Sequence, residues 1–199
     1  TPELKKQILD AKTLVVVEDL YRPYRPKRRT RAIIAKEKGL EPLANIIMLQ
    51  MTKKPLEEEA QAFVSAEKGV ETVEDALNGA KDILAETISD EADYRIYIRD
   101  LTMKKGSVAS AAKKPEESSV YEMYYEFEEP IRKLAGHRVL ALNRGEKEKI
   151  LTVKVNAPEE EILGWIQKQV LVRENPVTTP VLREVVEDSY KRLIAPAIE

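Results

Sequence analysis

The side chains best suited to binding a ligand lie between residues 21 and 31, which we call the basic segment. Six cations fall within ten positions there, and no acidic residue interrupts them. The guanidinium group of arginine is a planar fork that pairs with phosphate as well as with carboxylate oxygens. The segment therefore predicts an anionic partner, either a nucleic acid or carboxylates of the chain itself. The six candidate nucleic-acid-binding residues are Arg22, Arg25, Lys27, Arg28, Arg29 and Arg31.

Two prolines determine the backbone that we expect in the basic segment. The residue before a proline avoids the helical region, so Arg22 before Pro23 and Arg25 before Pro26 are expected to be extended. An extended segment lets arginine side chains spread along a phosphate backbone. Contact of that kind does not depend on base sequence and is weak, with a Kd of about 10⁻⁴ to 10⁻⁶ M near physiological salt.

The neighbouring residues allow two interpretations of the segment. Tyr21 and Tyr24 could stack on bases or pack against the turn. Glu18 and Asp19 could instead neutralise the arginines, which would make the segment a structural linker. Thr30 is a predicted N-cap, and cations beside it oppose the dipole of the following helix. An anion from the chain or from a partner should therefore compensate them.

The sequence contains few residues or motifs that could support catalysis or bind a cofactor. There is no cysteine and no glycine-rich phosphate loop, and His137 is the one histidine. Acidic clusters at residues 57–59 and 159–161 fall early in predicted helices, where carboxylates favour the helix dipole. Trp165 belongs to an apolar stripe at helical spacing, which is typical of a core. We therefore expect no enzyme activity, no metal and no cofactor.

The overall composition is that of an ordinary globular protein. Hydrophobic residues make up 43% of the 199 residues, and the net charge of −2 carries no general nucleic-acid signature. No apolar run approaches the roughly 18 to 20 residues of a membrane helix, so we expect no membrane span. The absence of cysteine favours a cytoplasmic location. The chain does not begin with Met, and we expect it to be a piece of a longer protein.

Helical periodicity predominates, so the predicted fold is mainly α, a multi-helix, bundle-like fragment with a small β element. Two helices around residues 31–51, separated at Gly39, make a predicted helix-turn-helix-like element. Thr72 and Asp75 have the spacing of a capping box. Ser89 is a predicted N-cap for the helix that follows it.

Three regions follow from this pattern. Residues 1–105 form a helical region that contains the basic segment, and the small, polar residues 106–119 predict a flexible loop. Residues 120–199 form a second helical region, in which alternation over residues 150–155 predicts a strand. A lone strand cannot satisfy its backbone hydrogen bonds. Its candidate partners are residues 107–112, residues 138–142 or a part of the protein outside this chain.

Three motifs in the same order carry a family resemblance. The first covers residues 20–32 and continues over residues 34–43, the second covers residues 137–148, and the third covers residues 188–196. Together they resemble the N-terminal region of bacterial Tex proteins, and they extend over nearly the whole chain. Ala197 departs from the family pattern, which commonly has serine there, and we attach no functional meaning to it.

The resemblance implies a transcription accessory protein related to a eukaryotic elongation factor. Full-length members add an RNase-H-like domain, helix-hairpin-helix elements and an OB-fold RNA-binding domain, and this chain would lead into the missing RNase-H-like domain. Implied partners are RNA or DNA, the transcription machinery and other domains of the longer protein. No catalytic residue is carried over. The family pattern also favours a helix over residues 136–144, which argues against a strand there.

Two functional hypotheses compete. In the first, the chain is a binding module whose basic segment touches phosphate or an acidic partner. In the second, it is an architectural scaffold that packs against the other domains of a longer protein. A cationic ridge facing solvent favours binding, whereas arginines paired with carboxylates favour architecture.

Overall fold

The computed structural model describes residues 1–26 and 28–198, so Lys27 and Glu199 lie outside the described residues. The described chain is mainly α with one small three-stranded antiparallel sheet, which confirms the predicted fold class. No described helix is long and apolar enough to cross a membrane.

The element bounds, in chain order, are these. The helices are α1 (Pro2–Asp10), α2 (Leu14–Tyr21), α3 (Arg31–Glu37), α4 (Glu41–Leu49), α5 (Leu56–Gln61), α6 (Val73–Asp90), α7 (Ala92–Lys105), α8 (Gly136–Lys147), α9 (Glu159–Val170), α10 (Thr179–Asp188) and α11 (Ala195–Ile198). The strands are β1 (Ser107–Ala112), β2 (Glu126–Pro130) and β3 (Leu151–Asn156). Short 3-10 turns occupy Arg22–Tyr24, Ala66–Lys68, Glu122–Tyr124 and Ile131–Lys133, and a π-helical turn occupies Ser189–Ile194.

The chain divides into two compact units, the first comprising Thr1–Ile96 with Leu163–Ile198 and the second comprising Tyr97–Ile162. Helix α6 organises the first unit, since α3, α4, α5 and α10 all pack against it. Its apolar residues recur at spacings of three and four and so form one buried face. The buried residues of α6 are Ala76, Ala80, Ile83, Leu84, Ala85, Ile88 and Ser89.

The two ends of α6 test two sequence predictions. The backbone N–H of Asp75 donates to the Thr72 hydroxyl, and the N–H of Thr72 donates to the Asp75 carboxylate, both at 3.0 Å. The predicted capping box is thus confirmed. The prediction that Ser89 starts a new helix is wrong, because Ser89 is buried inside α6 and its hydroxyl donates to the Glu86 carbonyl at 2.8 Å. A hydroxyl bonded back along its own helix does not cap the next one.

Helices α3 and α4 are two short helices joined by a tight turn, as the sequence predicts. The hydroxyl of Thr30 accepts from the Ile33 N–H at 3.1 Å, which confirms Thr30 as the N-cap of α3. Gly39 adopts φ +78°, a left-handed conformation that suits glycine at a helix end. Helix α4 carries no lysine or arginine that could contact phosphate.

Strand β1 lies in the middle of the sheet of the second unit, which has the order β2–β1–β3. Ser107 is opposite Asn156 and Ala112 is opposite Leu151, so β1 is the partner of the predicted strand. The predicted loop over residues 106–119 is therefore wrong for Ser107–Ala112. Small polar residues signal a loop locally, but antiparallel pairing on both sides supplies the backbone hydrogen bonds that hold them as a strand.

The core of the second unit lies where α8 covers the sheet. It is built from Tyr121, Tyr124, Leu142 and Leu151. Helix α8 approaches β3 closely at Gly145, where an added Cβ would lie 2.6 Å from Leu151 Cδ1. Because α8 covers the stretch for which the family resemblance predicts a helix, that prediction is confirmed.

Candidate nucleic-acid interface

The basic segment runs from the end of α2 to the first residue of α3. Arg22 keeps helical geometry (φ −50°, ψ −45°), because its N–H donates to the carbonyl of Glu18. The prediction that Pro23 holds Arg22 extended is therefore wrong: the short 3-10 turn accepts proline at its second position, where no N–H donor is needed. Arg25 is extended as predicted, with φ −70° and ψ 134°. Lys27, also predicted to contact the ligand, lies outside the described residues.

Two of the cations have partners inside the first unit. Arg22 Nε donates to Asp90 Oδ1 at 3.3 Å, and both side chains are partly buried. Arg29 Nη2 donates to Glu37 Oε2 at 2.9 Å, but these side chains are 70% and 54% exposed. Exposed pairs contribute about 0–1 kcal/mol, because water and salt screen them. Arg22 therefore has a partly buried internal partner, whereas Arg29 can exchange its partner at little cost.

Neither Glu18 nor Asp19, which the sequence suggests as internal partners of the basic segment, forms an ion pair with one of its described arginines. Asp19 is buried and accepts from Arg95 Nε at 3.2 Å, and Arg95 also donates to the Ser89 carbonyl at 3.1 Å. Glu18 is exposed, and its carboxylate makes no ion pair within the described part of the chain. No sequence signal points to the Arg95 pair, since 76 positions separate its members.

Three exposed arginines of the basic segment differ from Arg29 in having no carboxylate partner among the described residues, and we call Arg25, Arg28 and Arg31 the open arginines. All three are exposed, and none forms an ion pair with a residue that the structure describes. Arg31 still acts at a distance on Asp82: burial raises the pKa of this carboxyl, while Arg192 and then Arg31 lower it. These three guanidinium groups can bind an external anion without breaking an ion pair within the described part of the chain.

Two tyrosines belong to the same segment of the sequence. Tyr21 is 48% exposed and Tyr24 is 62% exposed, so neither ring is absorbed into a core. Tyr24 and Pro23 are among the residues that line an open cleft of about 360 Å³. The basic segment thus combines cations and aromatic surface, the two features with which proteins hold single-stranded nucleic acid.

The other residues considered from the sequence have ordinary environments. His137 is an exposed residue in the first turn of α8. The Trp165 ring is half-buried and packs edge-on against Tyr94 with centroids 5.4 Å apart, and Ile162 and Ile166 of the predicted stripe are buried. Among the described residues, no group of three or more His, Cys, Asp or Glu is arranged to hold a metal ion.

A buried polar cluster around Gln50 was not predicted. Gln50 has φ +54° at the end of α4, is 1% exposed, and donates through Nε2 to the Val170 carbonyl at 2.8 Å. Asn175 Nδ2 donates to the carbonyls of Gln50 and Thr52 at 3.1 and 3.0 Å. The cluster joins residues more than 100 positions apart, so local sequence carries no signal for it. Its hydrogen bonds join the end of α4 to the end of α9 and to the residues that follow α9.

The family model described as "Tex central region-like" matches residues 50–199. The protein YdcI of Bacillus subtilis is 50% identical over all of this chain and 28% of its own length. The transcriptional accessory protein Tex of Neisseria gonorrhoeae is 34% identical over 76% of this chain and 20% of its own length. S1 RNA-binding domain-containing protein 1 of Homo sapiens is 33% identical over 98% of this chain and 21% of its own length.

This chain spans less than a third of the length of these relatives. Within that part, the family-model match covers most of the residues, and identities of 33–50% extend over three quarters or more of the chain. The chain therefore belongs to the Tex family.

Proposed function

We propose that this chain is a binding module of a transcription accessory protein that contacts RNA or DNA through the phosphate backbone. The observation that carries the proposal is the set of three open arginines, which have no ion-pair partner within the described ranges. A phosphate backbone offers closely spaced anions to such a set. The contact is independent of base sequence, with a Kd of about 10⁻⁴ to 10⁻⁶ M near physiological salt.

The names of two relatives support this proposal. One is a transcriptional accessory protein, and another contains an S1 RNA-binding domain. Because this chain covers about a fifth of each, a role in transcription and partners in the transcription machinery are part of the proposal. A cytoplasmic location belongs to it as well.

A second candidate function is architectural. The observation that favours it is the partly buried pair of Arg22 with Asp90, which joins the basic segment to the end of α6. In this alternative the whole segment serves the fold or docks against other domains of a longer protein, and nucleic acid does not bind. The two candidates differ in what happens when the open arginines are removed.

The test is a binding titration with fluorescent RNA, single-stranded DNA and duplex DNA. The variant replaces Arg25, Arg28 and Arg31 with Ala, and its matched control replaces the exposed Arg132, Lys133 and Lys147 of the second unit with Ala. Both variants lose three positive charges. The proposal expects a loss of affinity for every nucleic acid in the first variant and a much smaller loss in the control. Equal affinities for wild type and the first variant would favour the architectural function.

The proposal includes no catalytic step. The environment of His137 supports this part of the proposal, because His137 is an exposed side chain in the first turn of α8. We expect purified protein to leave RNA, DNA and nucleotides unchanged. Turnover that persists through repurification and disappears in His137→Ala would contradict this part of the proposal.

A further inference from the structure

The open cleft beside the basic segment has the chemistry of a nucleobase site. Its apolar lining includes Leu20, Pro23 and Tyr24. Its polar lining includes Gln7, Glu91 and Asp93, together with Asp90, which is the partner of Arg22. Tyr24 is 62% exposed, so a flat ring can reach its aromatic face without unpacking the protein. Stacking of this kind is how proteins hold unpaired bases, since every base has a π face.

The carboxylates of the cleft determine which part of a nucleotide fits there. Glu91 and Asp93 make no ion pair within the part of the chain that the structure describes. Burial raises the pKa of the Glu91 carboxyl, and Asp93 and Asp90 raise it further. Uncompensated carboxylates repel phosphate but accept hydrogen bonds from exocyclic amino groups, as Asp and Glu do from cytosine N4.

Arg25 favours the phosphate part of a nucleotide. Arg25 directly follows Tyr24, is extended and exposed, and has no ion-pair partner among the described residues. A basic peptide would suit the carboxylates but would be repelled by the open arginines. A ligand that is anionic at one end and carries a neutral, amino-bearing ring at the other suits both features.

We infer that this cleft receives one unpaired nucleobase, stacked on Tyr24 with its amino group towards Glu91 and Asp93, while Arg25 contacts the adjacent phosphate. The inference rests on the proposed function and restricts this cleft to single-stranded RNA or DNA. Duplex bases are stacked on each other and cannot enter. Cytosine is favoured over uracil, which presents a carbonyl oxygen where cytosine presents an amino group.

The test compares oligo(C) and oligo(U) RNA of equal length, titrated against the whole chain by fluorescence anisotropy. Wild type should bind oligo(C) about twofold to about tenfold more tightly than oligo(U), which corresponds to the net free energy of one hydrogen bond. Tyr24→Ala should weaken oligo(C) binding by about fivefold to about a hundredfold, and Tyr24→Phe should retain most of it. The matched control, Tyr97→Ala, removes a partly exposed tyrosine of the second unit and should bind as wild type does.

A second variant tests the carboxylates. The double substitution Glu91→Gln with Asp93→Asn should erase the preference for oligo(C) while raising affinity for both strands, because it removes two charges that repel phosphate. Tyr24→Ala should keep the circular dichroism spectrum and melting temperature of wild type, since the side chain is exposed. Its affinity for duplex should also stay unchanged.

The possible failures can be told apart. If Tyr24→Ala binds oligo(C) as wild type does, or if wild type shows no preference for oligo(C), the inference is overturned. The proposed function still stands in that case, provided that the triple arginine variant loses affinity for both strands. If wild type binds neither strand, the proposed function fails and the inference fails with it.

Discussion

At the scale of single residues, the environment of each cation decides what it can do. Arg22 and the open arginines belong to one charged run, yet Arg22 holds Asp90 while Arg25, Arg28 and Arg31 face solvent. A partly buried ion pair resists exchange, because losing one partner leaves the other charge unpaired in a position that water reaches poorly. The candidate interface is therefore smaller than the charged run in the sequence.

Arginine substitutions at the two kinds of position should have different effects on stability. Arg22→Ala removes a donor from the partly buried Asp90 and should lower the free energy of unfolding by about 1 kcal/mol. Arg31→Ala should stay within about 0.5 kcal/mol of wild type, because it removes an exposed cation that opposes the dipole of α3. Urea unfolding followed by circular dichroism measures both. A large loss of stability in Arg31→Ala would show that this side chain serves the fold.

The capping box of α6 predicts a pH dependence. Hydrogen bonding with Thr72, first through its side chain and then through its backbone N–H, lowers the pKa of the Asp75 carboxyl below its ordinary value of 3.8. A carboxyl whose pKa is lower in the folded state stabilises the fold above the unfolded value and loses that effect as pH falls through the folded value. Asp75→Asn should therefore lower the melting temperature at pH 7, and the difference should shrink below about pH 3.8. A difference that stays constant down to pH 2 would contradict this role.

Predictions from sequence succeed at residue scale where the cause is local. Thr30 and Thr72 are N-caps because a hydroxyl reaches an N–H three positions later, a distance that the sequence itself specifies. The pairs of Arg22 with Asp90 and Asp19 with Arg95 join positions 68 and 76 apart, so only the folded chain brings them together. The division of the basic segment into structural and open arginines could not be predicted for that reason.

At the scale of elements, the close approach of α8 to β3 is the contact that organises the second unit. Gly145 permits it, because an added Cβ would lie 2.6 Å from Leu151 Cδ1 and 3.2 Å from Tyr121 Cδ1. Both contacting side chains belong to the core cluster. Helix α8 was predictable from the family resemblance. For β1, the sequence indicated residues 107–112 only as one of three candidate partners of the predicted strand, since serine and alanine have weak strand preference and pairing on both edges decides the conformation.

A matched pair of glycine substitutions tests this contact. Gly145→Ala should lower the free energy of unfolding by about 1–3 kcal/mol, because the methyl group overpacks Leu151. Gly164→Ala, inside α9 with nothing within 4 Å of the added Cβ, should raise it by up to about 1 kcal/mol through helix propensity. Thermal unfolding followed by circular dichroism measures both. A stabilising Gly145→Ala would show that α8 and β3 do not approach each other this closely.

At the scale of the whole molecule, the distribution of charge along the chain indicates nucleic-acid binding, whereas the net charge does not. The chain has 33 Lys and Arg and 35 Asp and Glu, so its net charge alone does not predict binding to nucleic acid. The basic segment concentrates cations where few internal carboxylates meet them. The sequence shows this concentration of cations and the family resemblance. Only the folded structure shows which arginines of the segment are exposed and have no carboxylate partner among the described residues.

The measurement that tests the central claim most directly is the salt dependence of nucleic-acid affinity. The logarithm of the association constant for single-stranded RNA is plotted against the logarithm of salt concentration for wild type and for the variant with Arg25, Arg28 and Arg31 replaced by Ala. Removing one arginine from a phosphate should make the slope shallower by about 0.7, so we expect the triple variant to change it by about two units. The control variant of Arg132, Lys133 and Lys147 should keep the wild-type slope. Identical slopes for wild type and the open-arginine variant would contradict phosphate binding by these residues.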